Sequence, residues 1–453
     1  MSLTGSDNGP PGPRGLQLAR WLKRLNQNAF QAFVELTAEY GEATRVPFSP
    51  NRSTYVFSNP DAVKHVLQDN HRNYKKAFTY EFLKPVVGEG LLTAEGDHWL
   101  RQRRLVAPMF HRERIRSFAS SMRESTEELL EQWDRQLDDG DKTDVAADMS
   151  QLTLSIAGKI LFNRDIGEES DRIGNAMTLL FRDVNYRITS FVSIPRSIPT
   201  PHNRRVQQAL EDLETIVYDM IDRRRGRAED YDDLLSMFML AEDEETGERM
   251  DDKQIRDELM TFMIAGHDTT SNLLAWTFYL LSKHPDVRRK LEREIDEAIE
   301  GHIPSLSEVR ELEYLEMVID ESLRLFPPAW TIEREPIDDD EIGGYHVPAG
   351  SVVIVGPYFV HHNPDVWPNP EGFDPERFAP DADQPDHRYA HFPFGGGPRM
   401  CVGADFAIME AKLILAAVIN RYRLDLAPGR PVEPEGTVTL YPKDGIDMFV
   451  EPR

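Results

Sequence analysis

The chain has 453 residues, with 78 acids against 52 bases and a formal net charge of −26. So acidic a surface argues against nucleic-acid binding, because it repels a phosphate backbone. At 40% hydrophobic the chain can bury a large core, and its single cysteine precludes an internal disulfide framework, which fits a reducing, cytoplasmic setting. Twelve of the bases are lysine and forty are arginine. That balance belongs to proteins of salt-loving organisms and also to ordinary acidic proteins; it repels itself at low ionic strength and is screened in brine.

Residues 1–14, through Pro10-Pro11-Gly12-Pro13, read as a flexible leader. They hold no apolar run of signal-peptide or membrane-anchor length. No repeat or linker divides 15–453, which is expected as one domain. Gly15 to Tyr40 has the apolar spacing of one amphipathic helix. Ala43–Phe48 and Thr54–Phe57 alternate and are rich in β-formers, which predicts a strand pair. Asn59-Pro60 opens a helix, with Asn59 capping and Pro60 in its first turn. Ala77 to Glu89 is less regular. A helix then starts at Gly96, and in it Trp99 and Arg103, four apart, share a face. By itself that is also the spacing of a surface stacking pair. Helical patterns cover Glu113–Leu137 and Met149–Phe162. Two more flank the proline-rich loop Phe191–Pro201, the second ending at Arg223-Arg224-Arg225.

Lys253 to Lys283 is the longest helical pattern, roughly 45 Å at about 1.5 Å per residue. Asp257, Glu258, His267, Asp268 and Asn272 interrupt it, which argues against a membrane span. Inside it lies Ala265-Gly266-His267-Asp268-Thr269-Thr270. A mid-helix glycine costs about 1 kcal/mol relative to alanine and thins the helix for a close neighbour. An acid and a hydroxyl stand beside that gap. The hydroxyl can bond the carbonyl one turn back, bending the helix and opening room for water. A helix-packing notch has the same features.

Tyr314 to Leu325 reads as a helix ended by Pro327-Pro328, with Glu321 and Arg324 on one face. As a surface ion pair these would be worth little. Gly343 to Gly356 predicts a hairpin turning at Pro348-Ala349-Gly350. Phe394-Gly395-Gly396-Gly397-Pro398-Arg399-Met400-Cys401-Val402-Gly403 holds the only cysteine, followed by an apolar helix from Ala404 to Val418. A sulfur at a helix N-terminus faces unpaired N–H groups and the positive end of the macrodipole, which favour thiolate. A cysteine serving only as a small buried hydrophobe needs neither three consecutive glycines nor an arginine two residues away. A thiolate beside glycines that admit a flat ligand points to the axial ligand of a haem iron.

The pattern F-x-x-G-x-R-x-C-x-G resembles the haem-binding loop of the cytochrome P450 superfamily, with every fixed position filled. The resemblance covers nearly the whole chain. W-x-x-x-R at Trp99 and Arg103, A-G-x-D-T from Ala265, E-x-x-R at Glu321 and Arg324, and Phe373-Asp374-Pro375-Glu376-Arg377-Phe378 stand in the family's order. It implies a mainly α fold, a helical prism with a smaller β-rich region, and a haem-thiolate monooxygenase with haem b held by Cys401. It implies that Phe394 packs near the sulfur and that Gly397 and Gly403 allow close haem approach. Ala265 and Gly266 would border an oxygen-activation groove in which Asp268 and Thr269 relay protons. His267 is only a neighbour. Trp99 and Arg103 would face the haem, with Arg103, Arg399 and, by a looser match, Arg334 on its propionates. Glu321, Arg324 and Arg377 would form a buried structural lock. Pro328 to Ile332 would line the pocket, and Leu440-Tyr441-Pro442 would close it. The helices around Phe191–Pro201 would act as its lid. The implied partners are dioxygen, an apolar substrate (lipid, fatty acid, terpenoid or carotenoid-like) and a separate electron donor, a ferredoxin or similar with its reductase, because about fifty residues follow Cys401. Arg101, Arg104 and Lys412 form a candidate docking patch for that donor. The protein is expected to be a cytoplasmic monomer without a membrane span. A peroxide-using or hydroperoxide-rearranging enzyme, or a non-catalytic haem sensor, would share the loop; Asp268 and Thr269 favour oxygen activation.

Overall fold

The computed structural model describes residues 9–49, 52–136, 141–163, 167–189 and 194–453. Capping side chains decide where several helices begin. The single helix expected over Gly15–Tyr40 is two, Leu16–Gln27 and Ala29–Tyr40. Asn28 between them is extended, its N–H closing the first helix on the Arg24 carbonyl and its Oδ1 accepting from Gln31 N–H at 2.9 Å. The apolar spacing continues through a residue that prefers to cap, and the cap prevails. Asp144 likewise starts Val145–Phe162 a turn before its apolar pattern, accepting from the N–H groups of Ala146 and Ala147. Asp251 and Gln254 form a capping box at the head of the long central helix, Asp252–Lys283.

Residues 9–14 are not a free leader. Pro10 and Pro13 are buried, and Arg45 N–H bonds the Pro11 carbonyl at 2.9 Å. Residues 1–8, Leu137 and Phe191 lie outside the described residues.

A five-stranded sheet orders Ala43–Ser49, Arg52–Phe57, Val352–Val355, Glu333–Pro336 and Tyr74–Lys76. Arg52–Phe57 and Val352–Val355 run parallel; the other pairs are antiparallel. The edge register sets Lys76 opposite Arg334, two basic side chains side by side. The expected hairpin turns earlier than its Pro-Ala-Gly signal. Asp340–Ile342 pairs with Tyr345–Val347 through Gly343-Gly344, both at positive φ, and Val352–Val355 leaves for the large sheet. A Gly-Gly turn matches the strand twist better than the later one does.

Around the central helix the chain is mainly α. Val145–Phe162 and the helix after the cysteine, Ala404–Arg421, pack on it, and Arg112–Gln136 packs on both of those. Leu259, Met263, Leu274, Ile414 and Leu415 are among the apolar side chains buried there. Among the described residues no helix is long and apolar enough to cross a membrane.

Candidate active site

Between the cysteine loop and the central helix lies a cavity of about 350 Å³. Phe394, Gly395, Cys401, Val402, Gly403, Phe406 and Ala407 form one wall; Ala265, Gly266, Thr269, Thr270 and Leu273 form the other. The loop is held by Cys401 N–H on the Phe394 carbonyl at 3.0 Å and by Gly395 at φ 73°. Cys401 is exposed to this cavity. The helix behind it begins only at Ala404, capped by Gly403 without a side-chain bond. Burial raises the Cys401 thiol pKa, opposed by a hydrogen bond from Gly403 N–H and by the charge of Arg103. Burial therefore outweighs the favoured thiolate that the sequence led us to expect; a cation seated on the sulfur would reverse that balance.

On the other wall, Ala265 is exposed in the middle of an otherwise buried helix, and a Cβ added to Gly266 would meet nothing within 4 Å. Thr269 Oγ1 donates to the Ala265 carbonyl at 2.6 Å, the back-bond expected of a threonine beside a thinned helix. Asp268 does not line the cavity. Its Oδ2 accepts from Thr439 Oγ1 on the C-terminal hairpin. His267 points to the neighbouring helix, its Nε2 2.8 Å from Ser150 Oγ.

The rim is cationic. Lys76, Arg103, Arg334 and Arg399 all line the cavity, as does Trp99, with the Arg399 guanidinium 4.3 Å from its ring centroid. Arg399 Nη2 bonds Glu95 at 2.5 Å, and Arg334 Nη1 donates to the Glu333 carbonyl at 3.0 Å. Lys76 Nζ donates to the carbonyls of Ala94 at 2.7 Å and Leu91 at 3.2 Å. Burial, then the neighbouring Arg399 and Arg334, push the Lys76 pKa down to about 6. Burial raises Glu258, another nearby acid, to about 8. Glu95 is the acid bonded directly to one of these bases, and the site calls for anions. Lys76 escaped the sequence reading because Tyr74–Lys76 is a three-residue strand with no pattern of its own. Glu410 escaped it too. It lines the cavity in the apolar helix after the cysteine, 1% exposed, with Oε2 unpartnered and its pKa raised by burial to about 8.

Some expected positions lie elsewhere. Gly397 does not line the cavity; at φ 64° its Cβ would stand 1.9 Å from the Leu67 carbonyl oxygen, so packing and backbone conformation demand the glycine. Pro328, Ala329, Thr331 and Ile332 line the cavity, whereas Trp330 turns away, its Nε1 on the Thr437 carbonyl. Leu440 is buried and braces the Pro328 carbonyl instead of closing the pocket. The docking patch dissolves. Arg104 is paired with Asp243 at 2.9 Å and Glu245 at 3.1 Å, Arg101 with Glu248 at 3.5 Å, and buried Lys412 with Glu316 at 2.7 Å. Behind the cavity the lock is assembled: Glu321 takes Arg324 Nε at 2.6 Å, Arg324 Nη2 at 2.9 Å and Arg377 Nε at 3.3 Å, with Glu321 and Arg324 both fully buried.

A cavity with sulfur on one wall, a thinned helix on the other and an under-neutralised cationic rim fits an iron chelate carrying two carboxylates. That is the site of a haem-thiolate protein. Comparison with known proteins agrees. The family model for cytochrome P450 matches residues 10–446, and the chain belongs to the cytochrome P450 monooxygenases. It is 34% identical over 427 residues to the cyclooctat-9-en-7-ol 5-monooxygenase of Streptomyces melanosporofaciens, covering 94% of this chain and 90% of that protein. It is 33% identical to cyclooctatin synthase of the same organism, over 97% of this chain and 95% of that one. It is 31% identical to the chloroplastic carotene epsilon-monooxygenase of Arabidopsis thaliana, over 92% and 80%.

Proposed function

We propose that the protein inserts one oxygen atom of dioxygen into a C–H or C=C bond of an apolar, terpenoid or carotenoid-like molecule, using haem b held by Cys401 and electrons from a separate donor of the ferredoxin kind. The observation that carries this reading is the cavity itself, with Cys401 and the Gly266–Thr269 notch on facing walls and Lys76, Arg103, Arg334 and Arg399 at the rim. Bound haem supplies the iron at which dioxygen is activated, with a thiolate ligand favouring O–O cleavage. The four bases bind the propionates and Trp99 packs beside them. Phe394, Val402 and Phe406 keep water from the sulfur. Thr269, its own proton on the Ala265 carbonyl, presents lone pairs to the cavity and holds water there for proton transfer, with Asp268 as the acid behind it. The substrate class rests on the apolar lining and on the printed activities of the relatives.

The test is spectroscopic first. The ferrous protein with carbon monoxide should show the red-shifted thiolate band, and Cys401→Ala should lose it. Retention of the band by that variant would overturn the ligand assignment. A panel of cyclic diterpenes and carotenoids, screened by substrate-induced spectral shifts, tests the substrate class. Turnover should require reductant; oxidation that proceeds equally well with peroxide alone would place the enzyme among peroxide users.

A further inference from the structure

Asp268, Asn272 and Trp276 recur at four-residue intervals and so form one stripe of the central helix. All three reach the C-terminal hairpin of Pro434–Gly436 and Leu440–Pro442. Trp276 Nε1 donates to the Leu440 carbonyl at 3.2 Å. Asn272 Nδ2 donates to Thr439 Oγ1 at 3.3 Å, and Thr439 Oγ1 in turn donates to Asp268 Oδ2. Thr439 is 7% exposed, so no bulk water competes for these bonds.

A hydroxyl has one proton. The Asn272 amide occupies one lone pair of the Thr439 oxygen and fixes the hydroxyl beside Asp268 Oδ2, to which it donates. Among the described hydrogen bonds Oδ1 accepts none. We propose that Thr439, oriented by Asn272, is a positioning residue that holds the Asp268 carboxyl in one orientation beside the oxygen-activation groove. Two observations support it. Burial raises the Asp268 pKa, against the charge of His267 and the Thr439 bond, so the surroundings move the carboxyl toward its proton-bearing form. The hairpin is also anchored independently of Asp268, through Leu440 N–H on the Pro328 carbonyl at 2.9 Å and Trp330 Nε1 on the Thr437 carbonyl at 3.0 Å. It is a fixed post against which the acid is held.

The inference rests on the monooxygenase reading, and two measurements keep the two apart. The first is coupling, the product formed per reductant consumed by the haem-loaded enzyme. Thr439→Val keeps the shape and removes the hydroxyl. Coupling should fall roughly tenfold, part of the roughly hundred- to ten-thousand-fold that a positioned general acid contributes, with a larger solvent isotope effect. Thr439→Ser should restore both. Asn272→Leu, which removes the bond that orients the Thr439 hydroxyl, should shift both the same way by a smaller factor. The second needs no turnover: the carboxyl or carboxylate stretch of Asp268 in the resting protein, identified by difference against Asp268→Asn. It should shift in Thr439→Val and return in Thr439→Ser. Should Thr439→Val not fold, Asn272→Leu and Thr439→Ser decide. Wild-type coupling and an unmoved band in Thr439→Val or Asn272→Leu overturn the inference, as does a Thr439→Ser protein as impaired as Thr439→Val. A wild-type protein without reductant-dependent product refutes the monooxygenase reading instead, and the infrared shift still decides the role of Thr439.

Discussion

Glu321→Ala tests the lock at its centre. Glu321 Oε1 accepts from Arg324 Nη2 at 2.9 Å, Asp374 N–H at 2.9 Å and Arg377 Nε at 3.3 Å, and Oε2 from Arg324 Nε at 2.6 Å. The substitution strands two guanidiniums at once. Arg324, fully buried, keeps the carbonyls of His361, Pro370 and Gly372, which leave its Nε–H and one Nη2–H without the carboxylate and do not neutralise its charge. Breaking a buried ion pair by removing one partner costs about 3–5 kcal/mol. Taking about 2.1 cal/mol/K of unfolding entropy per residue, 453 residues lose stability at about 1 kcal/mol per degree near the midpoint. Glu321→Ala should therefore lower Tm by about 3–5 °C. Arg377→Ala should cost less, since Arg377 sits nearer the surface and its other donors reach the Pro368 and Asn369 carbonyls at 2.6 and 2.8 Å. The assay is a thermal ramp followed by tryptophan fluorescence, with wild type and variants compared at equal haem loading, because bound ligand itself raises Tm. A Glu321→Ala protein melting with the wild type, or Arg377→Ala melting below it, would refute the buried-charge argument.

Lys76 has a folded pKa of about 6 against 10.5 for the free side chain, so the unfolded chain holds a proton that the folded one has shed across that window. The haem-free protein should accordingly gain stability as pH rises through it, and Lys76→Met should remove that share of the slope in denaturant titrations at several pH values; bound propionates should flatten it in the wild type. Glu410 has the opposite sign. Its pKa is raised from 4.5 to about 8, so the folded state keeps its proton longer and stability declines as pH rises between the two; Glu410→Gln should gain on the wild type at about pH 9 relative to pH 5, read in the same titrations. Two glycines should respond in opposite directions to alanine. Gly397→Ala meets the Leu67 carbonyl at 1.9 Å and a left-handed backbone, and should lower Tm and haem retention; Gly266→Ala meets no atom within 4 Å and should stabilise the haem-free fold by about 1 kcal/mol while weakening ligand binding in the cavity it enters.

The parts of the site legible in the sequence are those whose members lie within one turn or one loop. Glu321 and Arg324 share a helix face, Gly266 and Thr269 share a notch, and Phe394 to Cys401 form one loop, so spacing grouped each set, while the tasks came from the family resemblance. Asn28 shows the limit within a single element: periodicity runs through it, and only a competing hydrogen bond ends the helix. Contacts between distant segments stayed hidden. Lys76 faces the cavity because an edge strand sets it across from Arg334, and Thr439 meets Asp268 because a hairpin near the end of the chain docks on a helix from its middle. Neither short strand carries a pattern that announces its partner.

The docking patch shows why charge read along a sequence misleads in this chain. With 78 acids for 52 bases, an arginine taken at random has an acid within reach, and folding brought Asp243, Glu245, Glu248 and Glu316 to Arg104, Arg101 and Lys412. The same excess gives the cavity rim its meaning. In a protein of net charge −26, four bases gathered around Glu95, with Glu258 held neutral by burial, run against the composition. Lys76 and Arg334 face each other across their strands, and burial, with Arg399 and that repulsion, holds the Lys76 pKa down to about 6 until something restores its charge. Two carboxylates of a bound group would do so. The charge of the cofactor is thus encoded where the acids are missing, and only the fold reveals which bases have been left without them.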